Sequence, residues 1–182
     1  MDNGASSYRR YLNGDESAFH EIVKEYFDGL VLFLYRFVGD LAAAEDLALD
    51  AFTQLVVHKH RYNFRVSLKT YLFMIGRSRA LDYIKHRKKL GMVCLDQAAE
   101  LPSCETGPEE QLIEQEEKRQ LHEALSRLEE KQRLVLHLVY FEELSCEEAA
   151  KVLKMNRKQV YNLLYRGKNA LRTILEEGRR SQ

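Results

Sequence analysis

The chain has 182 residues, enough for one domain or two small ones, and its 28 Lys+Arg are matched by 28 Asp+Glu. Zero net charge excludes a uniformly basic nucleic-acid binder. The longest apolar run, residues 29–35, is far too short to span a bilayer.

The opening MDNGASSYRR has no apolar stretch, so no export signal is expected. With only 2 Pro and 9 Gly, long segments run without a breaker, which favours helices. From Asp15 to about Val38, Phe19, Ile22, Val23, Tyr26 and Phe27 recur at helical spacing. Leu30, Phe33, Leu34 and Phe37 extend that stripe, with a break expected near Asp28-Gly29. Gly39-Asp40 ends it, and Asp40 is placed to cap a second helix that runs to about Val57 with Ala44, Leu47, Ala51 and Leu55 on one side. Residues 58–66 lose the period and read as a loop carrying Tyr62 and Phe64. From Ser67 to about Lys88 a third helix turns Leu68, Tyr71, Leu72, Ile75, Leu81 and Ile84 inward.

Residues 91–108 hold Gly91, Pro102, Ser103, Gly107 and Pro108 without periodicity, and read as a flexible linker. Helical signals resume from Glu109 to about Arg127, and again from Glu130 to Phe141 with Leu134, Val135, Leu138 and Val139 buried. The fold class expected is therefore all-α: two small helical domains, 1–90 and 109–182, joined by the linker 91–108.

Cut this way, the charge is not uniform. Residues 1–56 carry 4 basic and 10 acidic side chains, 57–95 carry 10 and 1, 96–130 carry 3 and 11, and 131–182 carry 11 and 6. Screening acts over about 8–10 Å, so each block presents its own sign to a partner. Two basic surfaces can meet phosphate, and two acidic ones can meet a basic protein.

The C-terminal end holds the most specific pattern. Ser145-Cys146-Glu147-Glu148 is a capping box, and Asn156 to Gln159 is a second. Only Lys154 and Met155 separate the helices that these boxes open, so the helices must cross steeply, as in a helix-turn-helix. In the second helix Val160, Leu164, Leu171 and Ile174 point inward. Arg157, Lys158, Tyr161, Asn162, Tyr165, Arg166, Lys168 and Asn169 remain outside as candidate DNA contacts, since Asn suits adenine edges and Arg suits guanine or phosphate.

The stretch LEEKQRLVLHLVYFEELSCEEAAKVLKMNRKQVYNLLYRGKNALR resembles the promoter-reading C-terminal domain of bacterial sigma factors, nearest the extracytoplasmic-function group of the sigma-70 family. Leu128, Arg133, Val135, Leu138, Tyr140, Glu142, Ser145, Glu148 and Ala150 fall in register with that family's run. AFHEIVKEYFDGLVLFLYRFVGDLAAAEDLALDAFTQLV and LKTYLFMIGRSRALDYIKHRKK resemble the family's other domain. This chain departs from the pattern at four positions: Lys154 stands where glycine is frequent, Leu163 where a basic residue is frequent, Tyr71 for a tryptophan and Ser78 for an asparagine.

The resemblance implies a non-enzymatic, cytoplasmic subunit without a cofactor. Its partners would be RNA polymerase core (the beta-prime coiled coil and the beta flap), promoter DNA and an anti-sigma factor. Asp46 and Asp50 would dock the polymerase. Arg61, Tyr62, Phe64, Arg65, Lys69, Arg77, Ser78 and Lys85 would take the minus-ten element, and the exposed face of the last helix the minus-thirty-five element. The alternative is a stand-alone helix-turn-helix regulator with an N-terminal sensing or dimerising domain. Cys94, Cys104 and Cys146 make no metal-ligand spacing, and the six His are scattered, so neither a metal site nor a catalytic constellation is expected.

Overall fold

The computed structural model describes residues 3–90, 121 and 123–180. Every regular element among them is helical. Four helices build the N-terminal unit: α1 (Asn3–Leu12), α2 (Glu16–Val38), α3 (Leu41–Val57) and α4 (Leu68–Lys89). The C-terminal unit follows a short helical stretch over 123–126 with α5 (Glu130–Leu136), which is prolonged by a π turn (His137–Phe141), then α6 (Cys146–Leu153) and α7 (Arg157–Arg180). The expected linker and most of the helix expected over 109–127 lie outside the described residues.

Helix starts follow the side chains available to satisfy the first free amides. Asp15 accepts from Ser17 N to open α2, Asp40 from Ala43 N at 3.0 Å to open α3, and Ser67 from Thr70 N at 3.2 Å to open α4. Gly39 ends α2 in the left-handed conformation, φ 68°, where a side chain would be strained. α1 has no counterpart in the sequence expectations, although Tyr8, Tyr11 and Leu12 already sit at i, i+3, i+4.

α2 is the central strut. Ile22, Leu30, Phe33 and Leu34 are fully buried against Ala44, Ala48, Ala51 and Leu55 of α3 and Leu68, Leu72, Phe73 and Ala80 of α4. The small side chains of α3 let it lie close to its neighbours, while Phe33 meets Phe73 with ring centres 5.1 Å apart. The break expected at Asp28-Gly29 is absent, because α2 runs unbroken from Glu16 to Val38. Gly29 serves another purpose. A Cβ there would lie 2.7 and 2.8 Å from the carboxylate oxygens of Glu142, so its bare backbone makes room for a side chain of the other unit.

The two units pack against one another, and their buried residues form one continuous cluster. The π turn supports the contact: Glu142 N reaches back five residues to His137 O at 3.1 Å, which brings both residues to the seam. The His137 ring stacks between Phe141 (5.5 Å) and Phe33 of α2 (6.2 Å). Its Nε2 approaches Glu142 Oε1 at 3.3 Å, but neither ring nitrogen makes a well-aligned hydrogen bond. Burial holds the imidazole below its ordinary range, helped by the charges of Arg36 and Lys69 and opposed by Glu142.

Above pH ~6.5 His137 is neutral both folded and unfolded; as pH falls through ~6.5, the unfolded chain takes up a proton that the folded one refuses. Stability should therefore drop on acidification, by at most about 1.4 kcal/mol per pH unit for this one group. Thermal unfolding followed by circular dichroism between pH 7.5 and 5 should show the loss, and His137→Phe should flatten it. Equal slopes in both proteins would exclude His137 as the source.

Candidate nucleic-acid interface

The helix-turn-helix forms as its capping boxes require. Glu148 N donates to Ser145 Oγ at 3.2 Å while Ser145 N donates to Glu148 Oε2 at 3.0 Å. At the next start, Gln159 N donates to Asn156 Oδ1 at 2.8 Å and Asn156 N to Gln159 Oε1 at 2.9 Å. Between them Lys154 takes the left-handed conformation, φ 53° and ψ 45°, so the turn is kept despite the missing glycine. Lys154 N bonds back to Lys151 O, and Met155 N to Ala150 O at 2.9 Å, which closes a Schellman turn.

α7 is about 36 Å long at 1.5 Å per residue. Val160 is fully buried, and Leu163 and Leu164 pack on the core from the same side. Leu163 is thus a packing residue here, which explains an apolar side chain where a basic one is frequent. All eight expected contacts, Arg157, Lys158, Tyr161, Asn162, Tyr165, Arg166, Lys168 and Asn169, are exposed. Tyr161 and Tyr165 share one face and are 56% and 69% accessible, far more than a soluble domain usually leaves aromatic rings. Arg157 is held at 2.7 Å by Glu147, but both side chains are open to water; such a pair is worth about 0–1 kcal/mol and yields readily to a phosphate. Lys168 leans over the Tyr140 ring at 5.8 Å, at the edge of the face.

The N-terminal cationic edge is less uniform. Arg61, Arg65, Ser78 and Lys85 are exposed. Tyr62, expected to offer a flat surface, is instead a core residue: its hydroxyl donates to Val66 O at 2.7 Å and its ring sits among Tyr8, Phe64 and Tyr71. A ring closed in on several sides has no face left for a base. Phe64 is partly exposed and holds φ 61°, unusual for a bulky residue. The Arg9 guanidinium lies 4.9 Å from its ring centre.

Arg77 is half-buried, with Nε lacking an acceptor, and burial lowers its pKa from the usual guanidinium value. Lys69 is only partly exposed, its side chain 24% accessible, because Glu142 draws it toward the seam. On α3, Asp46 and Asp50 are exposed, and Asp50 lies 3.5 Å from Arg79, beside exposed Leu49 and Val57. Acid and apolar side chains together suit a protein partner better than water.

Sequence reasoning missed Tyr8. Fully buried, it shares its hydroxyl between Leu55 O (3.1 Å) and Lys59 O (2.9 Å), which ties α1 to the end of α3 and the start of the loop 58–67. Burial, with neighbouring Tyr11, Tyr71 and Tyr62, pushes its phenol above its ordinary range and keeps it a neutral donor.

Comparison with known families decides what these surfaces belong to. The Sigma-70 region 2 profile matches residues 22–90, and the Sigma-70, region 4 profile matches 118–171. The chain belongs to the sigma-70 family, in its extracytoplasmic-function group. The sigma factor SigW of Bacillus subtilis is 27% identical over 172 residues, covering 90% of this chain and 92% of that protein. The sigma-H factor of Pseudomonas aeruginosa is 27% identical over 178 residues, covering 92% and 91%. Two solved structures share the fold. RpoE in complex with the anti-sigma factor NepR from Bartonella quintana has a TM-score of 0.67 at 20% identity, over 87% of this chain and 96% of that one. CnrH in complex with the cytosolic domain of CnrY has 0.63 at 19%, over 96% and 95%. In this sigma factor the region 2 match takes in most of α2 and all of α3 and α4, and the region 4 match takes in the helix-turn-helix.

Lys154 offers a direct check on the turn. A left-handed L-residue costs about 1–2 kcal/mol, offset in part by the freedom glycine adds to the unfolded chain. Lys154→Gly should therefore stabilise the protein by about 0.5–1 kcal/mol in urea unfolding; a loss of stability would mean that the turn differs from the one described.

Proposed function

We infer that this chain is a promoter-specificity subunit: it binds RNA polymerase core and directs initiation at chosen promoters. The observation that carries the reading is the succession of regions 2 and 4 on two helical units, each with its own exposed cations. It acts in the cytoplasm, as an accessory to the polymerase and not as a catalyst. Among the described residues no helix is long and apolar enough to cross a membrane.

In this reading α7 lies in the major groove of the minus-thirty-five element. Arg157, Lys158, Arg166 and Lys168 meet phosphate or guanine, Asn162 a base edge, and Tyr161 and Tyr165 sugar or thymine methyl. The loop 58–67 and α4 take the minus-ten element through Arg61, Phe64, Arg65, Lys69, Arg77, Ser78 and Lys85. A base stacked on an aromatic ring gains about 1–3 kcal/mol, while unstacking a duplex step costs about 1.4 kcal/mol, so capture of one or two flipped bases tips local melting without ATP. Phe64 is the ring placed for this, with Arg9 beside it and Tyr62 behind as its support. Asp46 and Asp50 dock the beta-prime coiled coil, and the C-terminal unit meets the beta flap. Relatives of the same fold are found with anti-sigma factors, and a partner of that kind fits this chain too.

A DNA reader can carry no net charge when its two kinds of surface oppose each other. Carboxylates face the polymerase and cations face the promoter, so the totals cancel while neither surface is neutral. Run-off transcription with purified core tests the function. Core plus this protein should start transcripts that core alone does not, and Asp46→Lys with Asp50→Lys should weaken core binding at least tenfold, about 1.4 kcal/mol. Core that ignores the protein, while the protein alone binds duplex DNA tightly, would favour a stand-alone regulator.

A further inference from the structure

The seam between the units is polar at its centre, which is an unusual way to hold two small domains together. Glu142 is the pivot, with its side chain only 8% accessible. Lys69 Nζ reaches its Oε2 at 2.8 Å and its backbone oxygen at 2.7 Å, so one ammonium grips the residue twice. Beside it Glu148, already the partner of Ser145 in the capping box, turns its other oxygen to α4. Ser67 Oγ donates to Glu148 Oε1 at 2.8 Å and Thr70 Oγ1 at 3.1 Å. One carboxylate therefore serves the first turns of two helices, α6 and α4, from different units. Gly29 completes the socket by leaving space where any Cβ would strike Glu142.

We propose that Glu142 and Glu148 form an intramolecular latch that holds the helix-turn-helix unit shut on the start of α4 in the free protein and keeps Lys69 from DNA. The second half of the statement rests on the placement of Lys69 at the minus-ten element given above. The latch occludes selectively, since Tyr161 and Tyr165 stay exposed while Lys69 is reduced to 24% accessibility with its ammonium turned to Glu142. It is also incompatible with reading both elements at once. Two elements some 25 steps apart are separated by about 85 Å at 3.4 Å per step, whereas two touching units, each with a radius of gyration of about 12 Å, hold their centres only about 30 Å apart. Opening exchanges one anion for another: the phosphate that takes Lys69 replaces the carboxylate that leaves it. A purely apolar seam would offer no such exchange.

Gly29→Ala is a wedge with little cost to its own helix, because alanine favours a helix by about 1 kcal/mol over glycine. Glu142→Gln with Glu148→Gln takes the negative charge out of the same contacts, with side chains of nearly the same shape. Small-angle scattering reads the opening, and fluorescence anisotropy with a labelled 20-nucleotide mixed-sequence single strand reads the release of Lys69. The free wild-type chain should be compact, with a radius of gyration near the ~16 Å of a globule of this length. Both variants should keep their helical circular dichroism, expand by several Å, and bind the strand at least fivefold more tightly, and Lys69→Ala added to either should abolish that gain. Folded variants that stay as compact as wild type would overturn the latch. Variants that open without any gain in strand binding would overturn the occlusion and the placement of Lys69 together, and run-off transcription by the wild type would still stand as a separate result.

Discussion

The structure depends on how a carboxylate is kept charged in a nearly dry place. Glu142 enters the seam at 8% accessibility, and an isolated carboxylate there would be several kcal/mol unfavourable. Burial alone would raise its pKa. The close approach of His137 Nε2, the hydrogen bond from Lys69 and the Lys69 charge outweigh burial and hold it below the usual carboxylate range. That requirement propagates outward. Lys69 must stay charged and aimed at it, Gly29 must carry no side chain, and the π turn must deliver Glu142 at this height. Buried ion pairs seldom add much net stability over an apolar contact, so the arrangement is better understood as fixing one geometry than as strengthening the fold.

Much of the fold was legible in the sequence for identifiable reasons. Asp40, Ser145 and Asn156 cap the helices they precede as their positions before an apolar period require, and Asp15 and Ser67, where two further helices are expected to begin, turn out to be caps of the same kind. The two-residue turn was legible for the same reason. What glycine usually supplies there, Lys154 supplies with strain, since the flanking boxes and the packing of Met155 leave no other path. The recognition face was legible because period 3.6 separates Val160 and Leu164 from Tyr161 and Tyr165 without ambiguity.

Other features needed three dimensions. Gly29 looks like a helix breaker in one dimension and is a socket in three. In the sequence Glu148 is only a capping-box partner and Glu142 only a position in register with the family's run, because nothing local announces that Lys69, Ser67 and Thr70, more than seventy residues earlier, will meet them. Tyr62 and Phe64 are two residues apart in an irregular loop, where no period says which ring is inside. Tyr8 decides it by anchoring the loop from a helix that the sequence signals only weakly. The candidate site was thus clear where it lies on a regular helix, and obscure where it depends on long-range contacts.

The central claim is that this sigma factor is closed when free and open when it reads a promoter. Spin labels at positions 25 and 173, both exposed and outside the DNA-facing sets, in a chain whose three native cysteines are replaced by serine, would measure the separation of the units by electron–electron double resonance. The account predicts a single short distance in the free protein that lengthens by tens of Å, on the order of the separation of the two promoter elements, when core polymerase and promoter DNA are added. The same distribution before and after, or a free chain already as long as the bound one, would contradict it.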